Sequence, residues 1–143
     1  MSEENVEQIR EGLTGLVEWF NSDEREPERF AEFAEKFAAP DVIYEEDPVW
    51  PDAGTFRGRD ALVRRFLEYI DILQIGRAEL GAIRDAGDMV LVELRMSFLA
   101  EGAGTALEFL WTYTARFDEE GRVSHWRAWF DQKQALKAAG LPE

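Results

Sequence analysis

The chain has 143 residues, the usual size of one globular domain, and its 16 Lys and Arg against 30 Asp and Glu leave a formal net charge of −14. That balance argues against nucleic acid and against an anionic membrane surface as partners, because both are held chiefly through Lys and Arg. With no cysteine and a single histidine, disulfide frameworks, thiolate metal sites, cysteine nucleophiles and two-imidazole mechanisms are excluded, so neither a metal nor a cofactor is expected.

Hydrophobic residues make up 45% of the chain and aromatics 13%, enough to build a core, so the acidity is expected to form a solvated surface on a single domain spanning 1–143. Glu3, Glu4, Glu7 and Glu11 interrupt the N-terminal apolar positions; neither a signal peptide nor a transmembrane span is expected, and the default location is cytoplasmic.

Val6, Ile9, Leu13, Leu16, Val17 and Phe20 recur at spacings of three and four, which predicts an amphipathic helix capped by Ser2. Pro27 at a first-turn position, then Phe30, Phe33, Ala34 and Phe37, predicts a second helix stopping at Pro40. Val42 to Tyr44 is a short strand running into Glu45, Glu46 and Asp47. Val49 to Gly58, with Pro51 and Gly54, is an irregular hairpin or loop. A third helix is expected over about Asp60 to Leu73, with Leu62, Phe66, Tyr69, Ile70 and Leu73 inward and Gly76 closing it.

The second half alternates with period two. Arg77 to Arg84 is a weak strand, followed by a turn at Asp85 to Asp88. In Met89 to Leu99, Val90, Val92, Leu94, Met96 and Phe98 share one face, the pattern of a half-buried antiparallel strand. In Thr105 to Phe117, Phe109, Trp111, Tyr113, Ala115 and Phe117 share a face. After a turn at Asp118 to Gly121, the last strand carries Trp126, Ala128 and Phe130 on one side and His125, Arg127 and Trp129 on the other. Asp131 with Gln134 has the spacing of a capping box for a short helix closed by Gly140. The order implies an α+β architecture: three N-terminal helices packed on a curved, mainly antiparallel sheet.

That order resembles the nuclear-transport-factor-2-like superfamily, in which a cone-shaped sheet encloses an apolar pocket, and within it the SnoaL-like polyketide cyclase and ketosteroid isomerase branch. Two stretches carry the resemblance. Tyr44-Glu45-Glu46-Asp47-Pro48-Val49, with Phe56-Arg57-Gly58-Arg59-Asp60-Ala61-Leu62 after it, is similar to the isomerases' acid-Pro-Val segment and to the glycine that opens their third helix. Arg116-Phe117, a four-residue turn and then Arg122-Val123-Ser124-His125-Trp126-Arg127-Ala128-Trp129-Phe130 are similar to their final hairpin.

The resemblance implies Asp47 as a catalytic base, a carboxylate that moves a proton next to a carbonyl when partial desolvation tunes it. The enolate so formed needs donors aimed at its oxygen. The isomerases' tyrosine falls on Leu16, which donates nothing, and their second donor falls on Tyr113, whose phenol can donate. Limonene epoxide hydrolase chemistry is not implied, since Trp126-Arg127-Ala128 and Arg95-Met96-Ser97 lack its acids. Trp50, Met96, Phe98, Trp111, Trp126 and Phe130 are expected as the pocket wall for a small apolar ligand or substrate.

By parity His125 is expected on the outer face, and Glu45 and Glu46 on a solvated rim. Leu91, Leu99, Leu110 and Trp129 make that outer face half apolar, which together with the resemblance implies a homodimer. Three readings stay open: a cofactor-independent isomerase or cyclase, a non-catalytic apolar-ligand-binding module, and an interaction scaffold whose pocket is filled by its own aromatics.

Overall fold

A computed structural model describes residues 3–22, 24–50, 52–73, 75–99 and 106–142, apart from the side chains of Tyr69, Ile72, Leu73, Ile75, Phe98, Leu99, Ala106 and Leu107. Ser2, the expected first cap, lies outside the described residues. Helix α1 (Glu3–Asn21) buries Ile9, Leu13 and Phe20 from the expected stripe, and Trp19 beside them. Helix α2 (Pro27–Phe37) starts on its proline, where the missing N–H costs no intrahelical bond.

The second helix does not reach Pro40. It ends at Phe37, and Ala38 is already extended (φ −103°, ψ 143°). A residue before proline is pushed out of the helical region, and here that constraint on Ala39 starts strand β1 (Ala38–Glu45) four residues before Val42. Pro40 has no N–H for a ladder, and the pairing register slips between Ala38 and Ile43, on either side of it. The stretch expected to be loop contains a three-residue strand, β2 (Thr55–Arg57), antiparallel to β1. Gly58 (φ 91°) turns the chain into α3 (Arg59–Leu73). Gly76 does not close that helix; it lies in β3 (Ile75–Asp85).

Strands β4 (Val90–Leu99), β5 (Ala106–Phe117) and β6 (Val123–Trp129) complete one six-stranded sheet in the order β2-β1-β6-β5-β4-β3. The antiparallel meander is as expected, while β1 joins β6 in parallel. Register breaks between Ile75 and Arg77 and between Leu80 and Ile83 bend β3, the kind of irregularity that curves a sheet. Asn21 ties α1 to that edge strand, donating to the Ala78 carbonyl at 2.8 Å and accepting the Ala78 N–H at 2.9 Å.

The fold is α+β, with four helices on a curved, open sheet. The main core, between α1–α3 and one sheet face, takes Val42, Tyr44, Val90, Val92, Leu94, Met96, Tyr113, Ala115, Trp126 and Ala128 from alternate strand positions. A smaller core forms where α4 (Gln132–Ala139) lays Ala135, Leu136 and Ala139 on the opposite face, against Met89, Leu91 and Trp129. Asp131 caps α4 through the N–H of Lys133 rather than Gln134, and Gly140 closes it in the left-handed conformation (φ 74°). Two of the apolar residues that suggested a partner chain, Leu91 and Trp129, are therefore covered by the chain's own helix. Leu110 stays 42% exposed, and the side chain of Leu99 lies outside the described part.

Candidate functional site

The segment that leaves β1 is folded back on itself. Glu46 N–H donates to the Gly54 carbonyl at 3.0 Å, Trp50 N–H to Asp47 O at 3.1 Å and Ala53 N–H to Trp50 O at 3.2 Å. Glu46, whose side chain is fully buried, is gripped by Arg65 of α3 through two bonds, Nε to Oε2 at 2.8 Å and Nη2 to Oε1 at 2.9 Å. The same guanidinium donates to the Asp52 carbonyl at 2.9 Å, and Gly54 N–H donates to Glu46 Oε1 at 3.2 Å. One bidentate pair thus holds the loop to α3 from both of its arms.

Asp47 stands next to this pair and is only 7% exposed. Its Oδ1 accepts the Val49 N–H at 3.1 Å and its Oδ2 accepts the Phe130 N–H at 2.9 Å, just beyond the end of β6. Both oxygens are thereby used to fix backbone. Glu45 turns the other way, toward His125 (3.4 Å) and Arg127 (3.6 Å) on β6. The three consecutive acids diverge, and among the described residues no group of three or more metal-ligating side chains converges. His125 follows the expected parity, opposite the core residue Trp126.

The expected pocket residues form two overlapping sets. Trp50 packs on Trp111 at 4.8 Å between ring centroids and meets Phe130 edge-on at 6.4 Å. Trp111 stacks on Tyr113 at 6.4 Å, and Tyr113 on Trp126 at 4.8 Å. The result is a continuous file of rings from Phe130 to Trp126. Phe130 does not share the strand face of Trp126 and Ala128. It follows the end of β6, is 60% exposed and reaches the file through Trp50. Phe98 contributes its backbone to β4, and its side chain lies outside the described part.

A cavity of about 130 Å³ lies farther along the same core, between the helices and the sheet. Leu13 and Leu16 of α1, Phe33 and Phe37 of α2, and Phe66 of α3 form its helical side; Leu94, Met96 and Trp126 form its floor. Of the expected site residues, Met96 and Trp126 line it, whereas Asp47, Trp50, Trp111, Tyr113 and Phe130 do not. Leu16, at the position of the isomerases' tyrosine, does. No charged side chain contributes to the wall, so the space suits neutral, apolar matter. For scale, a cavity of roughly 150 Å³ lined by Leu, Ile and Phe stays dry and takes benzene.

Sequence reasoning missed the contribution of α1 and α2. The signal was present in two glycines on α1. A Cβ at Gly15 would stand 2.6 Å from Phe33 Cε1, and one at Gly12 would stand 3.1 Å from the Phe37 ring. Glycine is costly inside a helix, so a pair of them facing a Phe-rich helix marks a close approach of rings to backbone.

A curved, open sheet, three helices over one of its faces and an apolar cavity between them define a small α+β domain. The chain belongs to the SnoaL-like domain family, whose profile matches residues 16–126. No protein of curated function matches it. Among solved structures it is similar to a nuclear-transport-factor-2-like protein of Burkholderia thailandensis (24% identity, TM-score 0.65, covering 96% of this chain and 98% of that one). A Catenulispora acidiphila protein with a ketosteroid isomerase-like fold, solved with trimethylamine, is also similar (17%, TM-score 0.60, 92% and 94%). So is a candidate polyketide cyclase of Sinorhizobium meliloti (19%, TM-score 0.53, 68% and 80%). At these identities the likeness speaks to fold. Among the described residues no helix is long and apolar enough to cross a membrane.

Proposed function

We propose that this protein binds one small apolar molecule between its helices and its sheet, as a non-catalytic pocket protein. The observation that carries this reading is the separation of chemistry from space: the cavity wall contains neither Asp47 nor Tyr113, and both carboxylate oxygens of Asp47 hold backbone amides. The test is thermal unfolding with toluene as probe. Saturating probe raises the melting temperature, as mass action requires for a ligand of the folded state alone. Ala34→Leu, which adds carbon to the cavity wall, abolishes the rise while the protein stays folded. Absence of a rise in the parent protein overturns the reading.

A second reading, a cofactor-independent isomerase or cyclase, is supported by the burial of Asp47 beside a file of aromatic rings. Asp47 is then the base and Tyr113 a donor to the enolate oxygen. Its test is exchange of the α-protons of a small cyclic ketone in D2O, followed by NMR. Catalysed exchange that vanishes in Asp47→Asn favours this reading over the first. A homodimer through the outer face around Leu110 is part of either proposal, and sedimentation equilibrium tests it.

A further inference from the structure

The cavity is long for its volume. On the helical side its wall follows α1 from Gln8 to Phe20, a rise of about 18 Å at helical spacing. The two ends of α1 meet opposite parts of the sheet. Gln8 sits at the β5–β6 turn, its Oε1 3.1 Å from the Cβ position of Gly121, while Asn21 is bonded to Ala78 of β3. Gly121 and Ala78 both belong to the wall. The sheet side gives a similar span. Phe117 lines the cavity, and so does Leu94, whose partner on β5 is Trp111; the strand from Trp111 to Phe117 covers about 20 Å.

Gathered into a sphere, a dry space of 130 Å³ would be only about 6 Å across. Drawn out beneath α1 it is a slot, and no polar atom faces into it. A compact ring touches such a wall over one stretch and leaves the ends empty, where lining atoms without a neighbour forfeit their dispersion contacts. An unbranched chain turns about its single bonds, follows the slot and meets the wall throughout. Close packing favours that shape.

We propose that the guest of this cavity is an unbranched aliphatic chain, a neutral alkyl group of roughly six to eight carbons lying lengthwise beneath α1. The carbon number follows from the volume, since a cavity of roughly 150 Å³ takes the six carbons of benzene. This rests on the reading of the cavity as a binding site and adds to it the shape of the guest: straight chains are held ahead of rings and of branched skeletons.

Three hydrocarbons of seven carbons each test this: n-heptane, its compact isomer 2,2,3-trimethylbutane, and toluene. Each is supplied as saturated vapour, which sets it at the activity of its own pure liquid, so differences report fit to the wall rather than aversion to water. n-Heptane is expected to raise the melting temperature most, with an affinity at equal activity roughly fivefold above that of either compact probe. In the parent protein, methyl NMR is expected to show contacts from bound n-heptane to both Val123 and Ala78, which line opposite ends of the slot. An equal or larger rise with trimethylbutane or toluene, or contacts confined to one end, overturns the assignment of shape and leaves the binding site standing. Absence of a rise with all three overturns the pocket reading itself.

Discussion

Asp47 and Phe130 are 83 positions apart, yet the carboxylate of the first accepts the backbone N–H of the second at 2.9 Å. With the bond from Val49 N–H to the other oxygen, this fastens the loop after β1 to the chain leaving β6. An acid at this place is therefore required by the architecture, whatever else it does. Asp47→Ala leaves two amide donors without their acceptor and is expected to cost about 1–3 kcal/mol, read by urea unfolding. Asp47→Asn keeps one acceptor oxygen and sets an NH2 group against an N–H, so it should fall in the lower half of that range.

The Arg65–Glu46 pair supports the opposite side of the same loop. Arg65→Met leaves a fully buried carboxylate without its cation and is expected to destabilise the fold by about 3 kcal/mol, at the modest end for a broken buried pair because Arg65 retains some contact with water. The double variant Glu46→Leu with Arg65→Met is expected to recover much of that loss, and denaturant melts of the three variants check it.

Gly15→Ala sets two effects against each other. Helix propensity favours alanine by roughly 1 kcal/mol, but its Cβ would stand 2.6 Å from the Phe33 ring, and overpacking costs typically about 1–3 kcal/mol. A net loss of about 1 kcal/mol is expected in urea melts. Because Phe33 lines the cavity, toluene affinity should fall along with it.

Asp118 supplies a pH-dependent effect. The N–H of Arg122 donates to its carboxylate at 2.9 Å, and this bond is the leading cause that holds its pKa below the ordinary value of 3.8; desolvation opposes it, and the N–H of Glu120 and the Arg122 guanidinium add to the lowering. The folded state thus holds this proton more weakly than the unfolded chain. Its contribution is present above pH 3.8 and is lost as pH falls through the lower folded value. In melting temperatures recorded from pH 6 down to pH 2, the parent protein should lose more than Asp118→Asn does, the difference narrowing at the acid end. The Asp118 side chain is 27% exposed and its ion pair with Arg122 reaches water, so screening keeps the effect small.

Period and punctuation carried much of this structure openly. The alternation from Val90 to Met96 places each side chain on its observed face, and Gly140 ends α4 as its position implies. The join of β1 to β6 was hidden, because parallel pairing across most of the chain leaves no local trace. So was the early start of β1, where the constraint on the residue before Pro40 outweighed continuation of the α2 stripe. At the site, the burial of Asp47 was readable from the acid-Pro-Val match. Its hydrogen bond to an amide 83 residues away was not. The cavity wall drawn from α1 and α2 depends on helix-to-helix distance, which a single stripe does not encode, although Gly12 and Gly15 hinted at it.

The file of rings running from Phe130 through Trp50, Trp111 and Tyr113 to Trp126 gives the protein an internal optical gauge. Indoles held 4.8 Å apart and tilted by 46° sit in fixed, asymmetric surroundings, so Trp50 and Trp111 contribute a signature to the near-ultraviolet circular dichroism. That signature fades when side-chain packing loosens, even where helices and strands persist. A solution that keeps its far-ultraviolet spectrum but loses this band has slackened along the loop that Asp47 fastens.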